Sequence, residues 1–179
     1  MNTPFAKRRR ALQARLTAET LDCLLVTHPP DWYYLSGFTG ESGALLVGRT
    51  DATLVTDGRF TIQSREETSG VKIQQQTGAL AEAAGGVLRA AGKKRVGFDP
   101  SRLHVGDFQA LKKAAGPGIR WQPAPGLVQA LRMQKDAGEL AQMRKAAILA
   151  GDVVRGVLGL LKPGVREFEV AAEIEYQMR

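Results

Sequence analysis

Cysteine is nearly absent from this sequence. Cys23 is the only one in 179 residues, which excludes an intramolecular disulfide framework and any cysteine-rich zinc site. Histidine is almost as scarce: His28 and His104 are the only two, which leaves little room for chemistry built on several imidazoles. Aromatic residues make up 6% of the chain, and they do not interleave with basic residues to form a stacking platform for bases. No run approaches the roughly 18 consecutive apolar residues that cross a bilayer. The N-terminus is basic through Lys7, Arg8, Arg9 and Arg10, but no apolar segment follows it. A secretory signal is therefore not read there, and the cytoplasm is the expected location.

What remains is the composition of a folded protein. Hydrophobic residues are 44% and charged residues 24%, too apolar for disorder and enough to bury a core at this length. The net charge is +7. Phe5, Leu12 and Leu16 form an apolar helical stripe that interrupts the basic N-terminal run, so the arginines are expected on the solvated face of an amphipathic helix rather than on nucleic acid. The charge balance shifts along the chain. Residues 136–179 carry seven acids and six bases, against eleven acids and nineteen bases before them. A boundary is expected near residue 130.

The pattern predicts a helix over 5–17 and a buried strand over 22–27, ended by His28-Pro29-Pro30. Asp31 is expected to cap a short helix running to Tyr34 or Leu35. A glycine-punctuated loop, Gly37 to Gly43, follows. Residues 44–47 and 52–56 read as a β-hairpin joined by Gly48-Arg49-Thr50-Asp51. Asp57-Gly58-Arg59-Phe60 leads into a helix ending near Gly70, followed by a weaker strand at 71–75. Leu80, Ala84, Val87, Leu88 and Ala91 mark one helical face; Val105, Phe108, Leu111 and Ala115 mark another. Strands at 95–98 and 119–122 alternate with them. Strands alternating with helices, plus one hairpin, define an α/β domain with a mixed sheet flanked by helices. Beyond Asp136 the pattern becomes long helix. Leu140, Met143, Ala147, Ala150, Val154, Val157 and Leu161 form a stripe fit to pack on another surface, and Lys162-Pro163-Gly164 stops it. A final helix starts at Glu167, with Phe168, Ala171, Ala172 and Met178 on one side.

Few of these residues suggest chemistry by themselves. Glu167, Glu169, Glu173 and Glu175 spread over several helical faces, as on a solvated surface. Cys23 sits inside an apolar strand, the setting of a small buried hydrophobe. No serine lies in a Gly-x-Ser-x-Gly elbow. The glycine loop lacks the Lys-Ser/Thr tail of a phosphate cradle. Arg59 follows a glycine just after a strand, where it can meet a carboxylate bidentately or stand as a surface arginine in the first turn of a helix. Trp32, Tyr33 and Tyr34 cluster beside the loop, and core packing is expected for at least one of them.

Several segments together resemble one family. Asp31-Trp32-Tyr33-Tyr34-Leu35-Ser36-Gly37-Phe38-Thr39-Gly40-Glu41-Ser42-Gly43 resembles the Tyr-Leu-Thr-Gly-Phe-Thr-Gly-Ser region of Xaa-Pro aminopeptidases and dipeptidases. Thr56-Asp57-Gly58-Arg59-Phe60 resembles their Thr-Asp-Gly-Arg-Tyr segment. Arg132-Met133-Gln134-Lys135 with Glu139 resembles the inter-domain helix, and Leu161-Lys162-Pro163-Gly164 with Glu167 and Glu169 the turn into the next helix. The family is that of creatinase, prolidase and aminopeptidase P.

The resemblance implies a creatinase/prolidase-type N-terminal α/β domain over residues 1–128. Residues 129–179 would be the linker and first helices of an incomplete pita-bread catalytic domain. It implies a parent Xaa-Pro peptidase acting on proline-containing peptides with two divalent metal ions, of which manganese, cobalt and zinc are the candidates. The family's ligands, two aspartates, a histidine and two glutamates, fall downstream of this chain, so neither a metal ligand nor a catalytic residue is expected in it. The chain itself is expected to be inactive, to serve subunit assembly (a dimer) and to help close a neighbouring subunit's active site. Trp32, Phe38, Glu41, Ser42 and Arg59 are the candidate substrate-contacting residues toward that neighbour. The other possibility is a free-standing, non-enzymatic binding or oligomerisation module of the same fold. Two departures from the family pattern stand out. Phe60 replaces a tyrosine. Arg166 stands where Ser or Thr often precedes Glu167, which forgoes a capping hydroxyl worth roughly 1 kcal/mol.

Overall fold

The structure, a computed structural model, describes residues 3–179. It divides into two compact units between Met133 and Gln134.

The first unit is organised by β1 (Cys23–Val26), whose four residues are all buried. It pairs antiparallel with β2 (Ala44–Gly48) and parallel with β5 (Arg95–Phe98). The hairpin partner β3 (Ala52–Thr56), then β4 (Lys72–Gln75) and β6 (Arg120–Pro123), complete a mixed six-stranded sheet in the order β4-β3-β2-β1-β5-β6. Successive strand side chains point to opposite faces, and the sequence uses both. Leu24, Val26, Leu45, Val47 and Leu54 join the core on one face. Cys23, Leu25, Leu46, Val55 and Val96 join the core on the other. Strands buried on both sides explain why 22–27 reads as a continuous apolar run.

Helices cover each face. Leu12 and Leu16 of α1 (Pro4–Ala18), Trp32 and Leu35 of α2 (Pro29–Ser36), and Val128 of α6 (Leu127–Arg132) pack on the first face. Ala84 and Leu88 of α4 (Leu80–Ala90) and Leu111 of α5 (Val105–Ala115) pack on the second. The expected mixed α/β sheet flanked by helices is what forms. The short helix α6 was not expected; six residues are too few for a periodic signal.

Two local expectations are corrected. The arginines of α1 do not share one solvated face: Arg10 is exposed, but Arg8 is half-buried. Arg9 is buried, and its guanidinium donates to the carbonyls of Leu35 at 2.8 Å and Ser69 at 2.5 Å. Desolvation first, then the neighbouring Arg10, lowers its pKa. Arg8 lies over the Tyr34 ring at 4.3 Å. A guanidinium offers five donors in a planar fork, and buried carbonyls lacking partners are costly, so an arginine is drawn inward here.

Asp31, in turn, does not cap α2. His28 holds the N-cap position, and the prolines fill the first turn, where the missing N–H costs nothing. Asp31 is buried instead. It accepts from Gln129 Nε2 at 2.9 Å and Arg132 Nη1 at 2.7 Å, which ties α2 to α6.

The second unit contains α7 (Ala137–Leu158) and α8 (Glu167–Met178). Asp136 opens α7 by accepting from Glu139 N at 2.9 Å, and the Glu139 carboxylate accepts from Asp136 N at 3.0 Å, a capping box. The buried positions of α7 are Val153 and Val157, four residues apart. Of the expected stripe only Val157 is among them; Leu140, Met143 and Val154 are exposed, and Leu161 lies beyond the helix end. In α8 the face is also shifted. Val170, Glu173, Ile174 and Gln177 are half-buried, whereas Phe168, Ala171, Ala172 and Met178 are exposed. No helix of the described residues is long and apolar enough to cross a membrane.

Candidate functional site

The glycine loop begins where α2 stops. Gly37 closes the helix in the left-handed region at φ 86°, with its N–H on the Tyr33 carbonyl at 2.8 Å. That is the conformation glycine adopts without a Cβ penalty. Phe38 then turns inward and is fully buried. Its ring lies 6.5 Å from that of Trp32 and meets Phe60 edge-on at 5.8 Å. A Cβ on Gly40 would lie 2.2 Å from the Phe38 ring, so the chain folds back over that ring only because residue 40 has no side chain. Ser36 Oγ supports the turn by donating to the Trp32 carbonyl at 2.6 Å and accepting from Phe38 N at 3.2 Å.

The far end of the loop meets the segment after β3. Thr56 Oγ1 donates to the Ser42 carbonyl at 2.6 Å. Asp57 accepts from Arg59 N at 2.9 Å, which opens the 3-10 turn Gly58–Phe60 ahead of α3 (Thr61–Glu67). The Arg59 guanidinium folds onto the same carboxylate, with Nη2 to Oδ2 at 2.8 Å. This hydrogen bond is the main cause that holds the Asp57 carboxyl below its ordinary range, with a smaller contribution from Ser42; the same pairing raises the Arg59 pKa, and Glu41 adds to it. Arg59 nonetheless keeps 69% of its side chain exposed.

Of the five expected contact residues, Glu41, Ser42 and Arg59 therefore gather at one rim around Asp57. Trp32 and Phe38 are core residues of this unit, 2% and 0% exposed, and support the rim from beneath. The rim is an exposed surface. A cleft of about 230 Å³ starts at Gly43, the end of the loop, and is lined by Leu80, Leu103 and His104 among others, but by none of the five.

A second group at the loop carries no sequence signal. The Glu67 carboxylate accepts from Thr39 N at 2.8 Å and Thr39 Oγ1 at 2.6 Å. Gln63 Nε2 donates to Thr39 Oγ1 at 2.7 Å and to Glu67 Oε1 at 3.0 Å. Partial burial opposes the charged form of Glu67, but the bonds from Thr39 and Gln63 outweigh it and hold its carboxyl below the ordinary value. Only the spacing of Gln63 and Glu67, four apart on one helical face, could have drawn attention to the pair.

Other reactive groups stay apart. Burial pushes the Cys23 thiol up to about 12, so it is an inert core group. His28 sits at the start of α2 and His104 at the start of α5. Among the described residues, no three His, Cys, Asp or Glu side chains come together to hold a metal ion. No metal-dependent step is assigned to these residues.

A mixed sheet with helices on both faces, and a glycine loop anchored beside an Asp-Gly-Arg turn, define an N-terminal domain of the kind expected. The family model described as the creatinase/prolidase N-terminal domain matches residues 8–134. The chain belongs to that family. It is 31% identical over 159 residues to the uncharacterized peptidase YqhT of Bacillus subtilis (strain 168), covering 89% of this chain and 45% of that protein. The structure is similar to that of the Xaa-Pro dipeptidase from Bacillus anthracis, with a TM-score of 0.91 and 27% identity over 98% of this chain and 49% of the other. It also resembles the N-terminal domain of the cytoplasmic peptidase PepQ from Mycobacterium tuberculosis H37Rv, with a TM-score of 0.66 and 33% identity over 70% of this chain and 98% of that domain. The chain thus spans about half the length of its two Bacillus relatives.

Proposed function

We propose that this chain forms the N-terminal portion of a cytoplasmic Xaa-Pro peptidase. Residues 1–128 would be its assembly and gating domain, and 129–179 would lead into a pita-bread catalytic domain. The observation that carries this is the likeness to the Bacillus anthracis Xaa-Pro dipeptidase, which runs over 98% of the chain, through both units. In this reading the two divalent ions, manganese, cobalt or zinc, are held by residues outside this chain, and the chain alone does not hydrolyse peptides. The Glu41, Ser42 and Arg59 rim faces a proline-containing peptide in the active site of a second copy. Arg59 suits that role because its exposed guanidinium is already oriented by Asp57, and a fixed fork loses less freedom on meeting a carboxylate.

The test is Arg59→Ala in the parent peptidase. Hydrolysis of an Xaa-Pro peptide should fall about tenfold, consistent with loss of a charge-assisted hydrogen bond, while the unfolding midpoint stays unchanged. Unaltered kinetics would remove Arg59 from the site.

A second reading, a non-enzymatic oligomerisation module, is favoured by one observation. The second unit leaves Met143, Ile148, Leu149, Val154 and Phe168 exposed, and association of copies through them would bury that surface. Sedimentation of the chain as a monomer at high concentration would count against it.

A further inference from the structure

A loop with glycines at 37, 40 and 43 would ordinarily sample many shapes. Here it is tied at three points. Phe38 is sunk in the core, Thr39 is bound by Gln63 and Glu67, and the Ser42 carbonyl is bound by Thr56. Only Gly40 and Glu41 lie between the last two ties. The Phe38 and Thr56 ties are part of the buried fold, whereas Thr39 itself is exposed. Hydrogen bonds between exposed polar groups add little net stability, since water replaces them. Three of them converging on one exposed threonine, with a fourth joining Gln63 to Glu67, are poorly explained as support for the core. What they fix is the path of the loop between Phe38 and Glu41.

We infer that Gln63 and Glu67 are positioning residues that clamp Thr39, so that Glu41 is presented beside Arg59 in one fixed arrangement. The inference rests on the proposed closure of a peptide site by this rim. α3 is the carrier. It begins directly after the turn that holds Arg59 and reaches back to Thr39 through Gln63 and Glu67. One short helix thereby couples both sides of the rim. In this reading both side chains act through the loop and not on the peptide, so removing the clamp should weaken peptide capture more than turnover.

Two readouts separate the inference from the reading beneath it. The first is amide hydrogen exchange at Thr39, followed by NMR in the chain. Glu67→Ala should speed it about tenfold while the amides of Leu45 and Leu46 keep their protection, because only a local opening is released. Glu67→Gln, which keeps one acceptor oxygen, should fall between. The second is steady-state kinetics on an Xaa-Pro peptide in the parent peptidase, where Glu67→Ala should raise KM about fivefold with kcat nearly unchanged. Thr39 exchange that does not respond to Glu67→Ala overturns the clamp and leaves the closure reading standing. Faster exchange with unchanged KM overturns the closure reading, and the positioning role falls with it. If Glu67→Ala loses protection throughout the sheet, Gln63→Ala, which removes two of the four bonds, takes its place with the same outcomes.

Discussion

The two units treat similar side chains in opposite ways. In the first, the leucines of β1, β2 and β3 are buried at 4% exposure or less, shared between two cores on either side of one sheet. In the second, α7 runs for 22 residues and buries only Val153 and Val157, while Ile148 and Leu149 stand 64% and 51% exposed. Apolar content does not separate them. What separates them is whether the topology supplies a surface for each apolar face. A sheet buried on both sides uses every strand position. A helix pair uses only the stripe where the two helices meet.

The largest effect that sharpens this contrast is a pair of truncations. Leu45→Ala, at a fully buried position of β2, should destabilise the first unit by about 3 kcal/mol through lost transfer energy plus a residual cavity. Leu149→Ala in α7 should shift the same transition by less than about 0.5 kcal/mol. Both tryptophans, Trp32 and Trp121, lie in the first unit, so fluorescence-detected urea unfolding reports on it. A cost at Leu149 comparable to that at Leu45 would break the contrast, and would mean that the exposed face of α7 is covered in solution.

The contrast also marks how far the sequence could be read. The central strands were legible because double burial makes them continuous apolar runs. The hairpin was legible from Gly48-Arg49-Thr50-Asp51, and the loop and the Asp-Gly-Arg turn from their order along the chain. The stripes of α7 and α8 were legible as periodicity, but periodicity does not name the partner: of the α7 stripe only Val157 is buried, and the inward face of α8 is a different one. The polar ties were illegible for another reason. Thr39 and Glu67 are 28 residues apart, and Asp31 lies 101 residues from Arg132. Which side chain satisfies which group is decided by packing at that range, not by neighbours in sequence.

Arg9 tests the same limit at intermediate size. On a solvated face, Arg9→Ala would change stability by less than about 0.5 kcal/mol. With Arg9 buried and bonded to the Leu35 and Ser69 carbonyls, the substitution should cost about 2–3 kcal/mol, since two carbonyls lose their donor. Arg9→Lys should recover only part of this, because a single ammonium does not reproduce the planar fork. Urea midpoints of the three proteins order the two descriptions without ambiguity.

The smallest expected effect lies in the second unit, where the two helix starts can be compared directly. Asp136 and Glu139 bond reciprocally at the start of α7. At the start of α8 only half of that arrangement exists: Glu169 accepts from Arg166 N at 2.9 Å. Arg166 has no acceptor to return to the helix, because a guanidinium only donates. Its guanidinium lies over the Phe168 ring at 4.5 Å instead, an exposed cation–π contact worth about 0.5–1 kcal/mol, and pairs with Glu169 Oε1 at 3.7 Å. Arg166→Ser would gain a cap worth about 1 kcal/mol and lose both that contact and an exposed ion pair worth about 0.2–0.5 kcal/mol. The balance should therefore be a stabilisation of no more than about 0.5 kcal/mol, seen as slower amide exchange in the first turn of α8. A clear destabilisation would show that the arginine's contacts with Phe168 and Glu169, rather than the missing hydroxyl, govern how this helix begins.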